Sequence, residues 1–371
     1  MTAFQKSFGI LLLAMLAGIS AAAAPPATFY LVDIGHGNVA FVISPSGETM
    51  LLDCGGGPGA VDLIYNFMQQ NDIKKIDYLV ISHFEADHMG AVAALSKKVP
   101  IVNYVDHGGS VTYGKSDEWW KGRRSPWWRA GMGAQDNKRM DDYKAARATG
   151  YHVLVKPGDK VPIKGLDVVV VAAAGKNIMT PLQGNGANPA CSQVSKRAED
   201  DAEDGQSVGV VISTGKFRFA YLGDMTWNNS YRLFCPKNMV GTVDAYLVTH
   251  HGQSMNTDLG DYYGGLSCCS VAEVQGLNPR VGLLSMAAQG HKYGTPDAMK
   301  NVRAQGMDLW QTEKIVGGGE AGLNAPDNFI SNLGGPRGEK VEYIKLVANP
   351  DSSFEVTNSR NNFSKKYPPH K

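Results

Sequence analysis

Apolar positions in this chain fall into short runs separated by glycine, proline and small polar residues, the punctuation of strands alternating with turns. Residues 28–34 and 39–43 are rich in β-formers, Ser44-Pro45-Ser46-Gly47 turns the chain, and an apolar run resumes over 50–53. This pattern predicts an antiparallel opening sheet. Residues 61–70 have helical spacing, 76–81 form a continuous apolar run suited to a buried strand, and 89–95 begin like a helix. Further strands are predicted over 167–172, 208–213, 217–222, 245–248, 281–284 and 343–347. Helices interleaved with strands imply α/β layering. Two segments, 110–142 and 176–204, lack a clear period. Loops longer than about 15 residues are usually functional or disordered. No repeat of solenoid period is visible.

Composition changes the picture in three ways. The 371 residues are 43% hydrophobic and 19% charged, enough apolar material for one large core or two smaller ones. Basic side chains number 36 against 35 acidic ones, so no global field draws the chain to nucleic acid or an anionic membrane. Recognition of a polyanion has to be local. At the start, Lys6 precedes an apolar stretch over 8–19, then Ser20 and four alanines before Pro25-Pro26. That is the layout of a secretory signal peptide cut between Ala22 and Ala24, and the stretch is shorter than the ~20 residues of a membrane anchor. The expected organisation is a signal peptide over 1–24, one domain over 25–358 and a polar tail over 359–371. The mature chain is expected in the periplasm or secreted, with no membrane anchor. Export makes Cys54, Cys191, Cys235, Cys268 and Cys269 candidates for one long-range disulfide. They lack the paired close spacing of a cysteine zinc site.

Candidate chemistry sits at the ends of three predicted strands. The run 76–81 leads into Ser82-His83-Phe84-Glu85-Ala86-Asp87-His88-Met89-Gly90. If the chain stays extended past the strand, His83 and Glu85 point to one side, and Asp87 with His88 sits at the following turn. This arrangement can share two ligands with each of two adjacent metals. The run 217–222 delivers Asp224 at its end, and the run 245–248 leads into His250-His251. Taken singly, Asp224 or either histidine also fits an exposed turn. The glycine run 55–59 matches neither spacing of the nucleotide-binding loops.

The three segments occur together and in order, and they resemble the metallo-β-lactamase fold, in particular the metallo-hydrolase domain of ComEC competence proteins. The resemblance spans about residues 28–357. FYLVDIGHGNVAFVISPSGETMLLDCG is similar to that group's opening, with Gly35-His36-Gly37-Asn38 where relatives have GQGD. SHFEADHMG resembles its SHxDxDHxGG, DGQSVGVVIS with YLGD resembles its NxxS strand and GD, and VTHHGQS resembles its HHGS. The implied fold is an αββα sandwich of two mixed sheets with helices outside. By matching positions, the resemblance implies that His83 and Glu85 serve one metal and Asp87 and His88 the second. Asp224 then bridges the two, and one of His250 and His251 completes a shell. Asp204 matches the asparagine of NxxS and falls near the first metal; alternatively it is a solvated acid following Glu199-Asp200-Asp201. Asp53 matches an acid that orients a ligating histidine. Two departures stand out. Glu85 replaces a histidine common in the wider fold, which hardens the site from Zn²⁺ toward Mn²⁺ or Fe²⁺, with Zn²⁺ still an option. Near the end, Thr295 stands where the group has histidine, so His291 is the imidazole expected to act at the substrate or leaving group, or else a surface residue.

The expectation is an exported hydrolase with two divalent metal ions and a metal-bridging hydroxide, acting on a phosphodiester or nucleic acid, with Asp87, Asp224 and His291 as catalytic groups. Trp119, Trp120, Trp127 and Trp128 lie among Lys121, Arg123, Arg124, Arg129, Lys138 and Arg139. Indoles can stack on bases while cations track phosphates, and the same composition suits sugar rings or a packed lid. The competing readings are a β-lactam or other ester or amide hydrolase on the same metals, and a non-catalytic binding protein that keeps the fold.

Overall fold

The computed structural model describes residues 25–122, 130–184, 186–254, 265–286, 294–315 and 323–369. Residues 1–24, where a signal peptide is expected, His291 and residues 123–129 with Trp127, Trp128 and three of the arginines lie outside them. The opening hairpins form as predicted, because each apolar run is long enough for one strand and each Gly/Pro turn reverses it. Strands β1 (Ala27–Val32), β2 (Ala40–Ile43) and β3 (Thr49–Leu52) pair antiparallel in sequence. After helix α1 (Pro58–Gln70), strand β4 (Ile76–Val80) pairs parallel to β3, then β5 (Ile101–Asp106) and β6 (Tyr151–Leu154) continue the parallel series. The far edge is completed by β15 (Tyr343–Ala348), β16 (Phe354–Asn358) and β17 (Ser364–Tyr367), giving nine strands.

The second sheet has eight strands. β7 (Asp167–Ala173), β9 (Gly209–Thr214) and β10 (Phe217–Tyr221) are antiparallel, with the two-residue β8 (Lys176–Asn177) outside them. β11 (Ala245–Leu247), β12 (Val281–Leu284), β13 (Asp308–Glu313) and β14 (Ile330–Asn332) then run parallel beyond β10. Alternate residues of both sheets meet in one core that includes Phe29, Leu31, Leu52, Phe219, Leu283 and Trp310. The opposite faces are covered by helices: Ile64, Phe67, Leu95 and Met140 pack on the first sheet, and Leu233, Val274 and Met299 on the second. The result is the expected αββα sandwich.

The polar tail expected over 359–371 is corrected in part. β17 pairs with β16, and Tyr367 is buried, stacked on Phe354 at 4.5 Å and donating to Asp308 at 2.6 Å. One inward tyrosine anchors this edge strand while Ser364, Lys365 and Lys366 remain exposed, so the polar composition concealed a strand. The aperiodic segment 110–142 also holds helices, α4 (Asp117–Gly122) and the start of α5 (Met132–Arg147). α5 buries only Gly133, Met140, Tyr143 and Ala146, too few apolar positions to register as a stripe. The helix expected over 89–95 is two short turns, α2 (Ala86–Met89) and α3 (Val92–Leu95). Cys191 and Cys235 form a disulfide across 44 residues, and Cys54, Cys268 and Cys269 are free and buried.

Candidate metal centre

The ligand-type side chains converge where β4, β10 and β11 end, at the carboxyl edge shared by the two sheets. Backbone contacts hold the first ligand loop in place. Asn38 N donates to Asp87 O at 2.8 Å, Cys54 N to His88 O at 2.7 Å, and Ala91 N to Cys54 O at 3.0 Å. This close approach explains part of the glycine run: a Cβ on Gly55 would lie 1.6 Å from the Asp87 carbonyl oxygen. The His250-His251 turn takes a strained path, with both residues at positive φ (48° and 52°). It is tied to the Asp224 loop by His250 N donating to Gly223 O at 3.1 Å.

Three overlapping groups of donor atoms result, each able to hold a metal ion: His83 with Glu85 and Asp204, His83 with His88 and Asp224, and Asp87 with His88 and His251. His88 Nε2 lies 3.1 Å from Asp224 Oδ2 and 3.2 Å from His251 Nε2. His83 Nε2 lies 3.5 Å from Asp204 Oδ1. These His/Asp clusters are consistent with a binuclear site. His250 belongs to none of the three groups; its Nε2 is 3.5 Å from Asp224 and its Nδ1 is 3.1 Å from Leu266 O.

Behind the ligands stands a hydrogen-bonded support. Asp53, fully buried, lies 2.5 Å from His88 Nδ1 and accepts from Ser82 N at 2.7 Å, from Ser82 Oγ at 2.9 Å and from the Tyr221 hydroxyl. Ser82 Oγ gives its proton to Asp53, so at 2.9 Å it can accept the Nδ1 proton of His83. Both imidazoles therefore present Nε2 to the site, the orientation that carboxylate and hydroxyl partners impose on metal-binding histidines. Asp53 thus occupies the orienting position that the sequence implied. Its partners Ser82 and Tyr221 carried no signal of their own.

The first group has a second support that the sequence did not reveal. Glu203, buried, accepts from Phe84 N at 3.3 Å, Ser110 Oγ at 2.9 Å and Val111 N at 2.9 Å, with His107 Nε2 3.1 Å away. One carboxylate therefore joins the loop of His83 and Glu85, the loop after β5 and the turn that carries Asp204. An acid in a run of acids gives no hint of such a contact until the fold brings the loops together.

Electrostatics test whether these residues fit a cation. Burial lowers the pKa of His83 to about 3, helped by His88, and burial lowers that of His251 to about 3 as well. Both are neutral at pH 7, the form of imidazole that binds metal. Burial, then Glu85 and Asp224, raise the Asp204 carboxyl well above its usual value. Burial pushes Asp224 upward too, but the neighbouring His88 outweighs it and holds Asp224 ionised. Burial opposes a charge on His88, yet Asp224 and Asp53 on its two sides raise its pKa well above the ordinary imidazole value. Finally, His83 Nε2 and Asp204 Oδ1 are buried without a hydrogen-bond partner. An unsatisfied buried polar atom costs about 1–3 kcal/mol, and more when charged. A divalent cation relieves both the orphaned atoms and the crowding of carboxylates, so the donor set fits metal.

Thr295, at the position where the resemblance expects histidine, braces the histidine turn: its Oγ1 accepts from Ser254 N at 2.6 Å, and its N donates to Gly252 O at 2.9 Å.

Comparison with known proteins agrees with this architecture. Residues 32–181 match the family model of the metallo-beta-lactamase superfamily. That match covers β2 to β6 of the first sheet and the start of the second, and the two mixed sheets with outer helices make the metallo-β-lactamase fold. The chain is 42% identical over 53 residues to the anaerobic nitric oxide reductase flavorubredoxin of Aliivibrio fischeri (strain ATCC 700601 / ES114), a stretch covering 14% of this chain and 11% of that protein. The chain thus matches only about a tenth of the length of this curated relative. Among solved structures, the metallo-beta-lactamase fold protein YhfI from Bacillus subtilis aligns at 10% identity and a TM-score of 0.42, over 78% of this chain and 96% of its own. CmlA, a diiron beta-hydroxylase from Streptomyces venezuelae, aligns at 13% identity and 0.43, over 77% of this chain and 52% of its own.

Proposed function

We propose that the protein is an exported metal-dependent hydrolase of phosphate esters, the activity implied by its resemblance to the ComEC hydrolase domain. One observation carries the reading: three donor groups share His83 and His88, are almost fully buried, and leave His83 Nε2 and Asp204 Oδ1 unsatisfied. In this proposal His83, Glu85 and Asp204 hold one divalent ion, Asp87, His88 and His251 hold the other, and Asp224 serves both. Two such ions supply a water of lowered pKa and a positive charge for the oxygen on which charge develops. Asp53 and Ser82 fix which ring nitrogen each histidine offers. Asp224, ionised beside His88, would contribute its carboxylate to both ions, and Asp87 sits on the cavity side, where it can accept a hydrogen bond from the nucleophile. His291 remains the proposed proton donor to the leaving group.

A second reading, an iron-dependent oxidoreductase, is favoured by the oxygen-rich first group, where Glu85 and Asp204 accompany a single histidine, since such donors suit iron and manganese. The nitric oxide reductase flavorubredoxin, similar over 53 residues, is a redox protein by name and points the same way.

The test is turnover of bis(p-nitrophenyl) phosphate and of nitrocefin by purified protein loaded with Mn²⁺ or with Zn²⁺, alongside elemental analysis. Hydrolysis of the diester with redox-inert Zn²⁺, lost with a chelator, supports the hydrolase. Protein that binds only iron and turns over neither ester supports the oxidoreductase; preference for nitrocefin reassigns the substrate to a lactam. Export is tested by N-terminal sequencing of the native protein, expected to show a cut between Ala22 and Ala24.

A further inference from the structure

Beside the ligand cluster, α4 and α5 help enclose a cavity of about 290 Å³. Glu85 and Asp87 line its metal side, while Trp120, Met132, Gln135 and Arg139 line it from the helices. Small-molecule sites run from about 300 to 1,000 Å³, so this one fits a single compact molecule.

Among the described residues, several cations of this region are paired with acids. Lys138 pairs with Asp142 at 2.6 Å, Arg147 with Asp106 at 3.0 Å, and Lys144 lies 3.9 Å from Asp141. Cations already neutralised by acids gain little from a polyanion, whose binding depends on phosphates meeting free positive charge. Arg139 is paired as well, but unlike Lys138, Lys144 and Arg147 it lines the cavity. Asp136 engages its Nη1, and its remaining guanidinium nitrogens have no contact among the described residues. Trp120 is half-buried, and its Nε1 meets no acceptor.

We infer that this cavity is the substrate subsite of the metal centre and that it takes a small phosphate ester bearing a planar ring, nucleotide-sized or smaller. The ring packs on Trp120, because an indole face accepts any planar π-system. An anionic oxygen away from the reacting phosphorus is held by the free side of the Arg139 guanidinium, whose fork matches phosphate and carboxylate. Gln135 offers an amide to the polar edge of the ring. The reacting ester then lies toward Glu85 and Asp87. This inference rests on the hydrolase reading and narrows it from nucleic acid to small molecules.

Calorimetric titration of the metal-loaded protein with adenosine 5′-monophosphate, inorganic phosphate and a single-stranded oligodeoxynucleotide tests it. The expected result is one nucleotide bound per chain. Trp120→Leu and Arg139→Gln each weaken that binding by about tenfold or more. Arg139→Lys, which keeps the charge but lacks the planar fork, falls between wild type and Arg139→Gln, and inorganic phosphate binding and metal content stay unchanged in all three. Equal nucleotide affinity in wild type, Trp120→Leu and Arg139→Gln overturns the subsite. So does an oligonucleotide that binds more tightly than the mononucleotide. Wild-type protein that holds no metal sinks the hydrolase reading instead, and loss of nucleotide binding in Trp120→Leu and Arg139→Gln on that metal-free protein still supports the subsite. Melting curves confirm that each variant is folded.

Discussion

The two ends of the ligand cluster are built differently. Around Asp87, His88 and His251, imidazole predominates, and His88 is gripped from behind by Asp53, itself bonded to Ser82 and Tyr221. Around His83, Glu85 and Asp204, carboxylates outnumber imidazole, a ligand atom on each of two side chains is unsatisfied, and support comes from Glu203 bridging three loops. The first arrangement is a preorganised nitrogen-rich end on a strand-borne scaffold. The second is an oxygen-rich end assembled from loops, whose geometry depends on one buried acid. The difference teaches that two candidate metal positions side by side need not have equal affinity or equal preference, because rigidity and donor softness are set separately at each.

Asp224 is the element common to both ends, and its removal should have the largest effect. Asp224→Ala takes a carboxylate from the point where His88, His250 and His251 converge, so both positions are damaged at once. Turnover of a phosphodiester at saturating Mn²⁺ should fall by a factor on the order of 10³ or more, with the fold kept by circular dichroism. Wild-type rates in this variant would show that Asp224 is not in the site, and the assignment of both ends would collapse.

Next come the two supports, which separate the ends. Asp53→Asn removes the charge behind His88 and should cost about 10–100-fold in affinity at the imidazole-rich end, with a smaller loss at the other end, whose His83 it orients only through Ser82. Glu203→Gln should weaken the oxygen-rich end, because Phe84 N, Ser110 Oγ and Val111 N then compete for a single carbonyl oxygen. A loss on the order of tenfold is expected there. Two-phase metal titrations read both. If each variant weakens both phases alike, the contrast between the ends is wrong.

A smaller effect is expected from Glu85→His, which gives the oxygen-rich end a second imidazole. The ratio of Mn²⁺ to Zn²⁺ affinity at that end should fall by about tenfold while overall binding persists. Competition between the two metals measures it, and an unchanged ratio would mean that Glu85 does not set the preference.

How much of this was legible in the sequence follows the same division. His83, Glu85, Asp87 and His88 announced themselves because a buried strand's apolar run stops abruptly at four ligand-type residues, and Asp224 and the histidine pair repeat that signature. Strand ends place side chains by local geometry alone. Asp204 sat in an acidic run, and only the antiparallel return of β9 turns it toward His83, so its sequence signal was weak. Glu203, Ser82 and Tyr221 act through contacts between residues far apart in sequence, which no local pattern records. The helices α4 and α5 escaped because their sides bury few apolar residues, and β17 escaped because a single tyrosine holds it.

The smallest expected effect concerns the pair His250-His251, which the sequence could not tell apart. His251 belongs to the group with Asp87 and His88, its Nε2 3.2 Å from that of His88, so its loss belongs with the damage to the imidazole-rich end. His250 contacts Asp224 at 3.5 Å through Nε2 and spends Nδ1 on the Leu266 carbonyl. Its contribution is to help hold Asp224 in place, a task in which His88 leads. His250→Gln, which keeps a polar group of similar reach, should therefore leave two metals per chain and lower turnover by only a few-fold, within about 1 kcal/mol. Both residues sit at positive φ, so backbone strain is common to them, and a variant of either tests the side chain against the same background. Metal content separates the two roles: His251→Gln should drop toward one ion per chain while His250→Gln holds two. The opposite outcome would transfer the ligand role to His250 and move the second metal toward Leu266, away from Asp87.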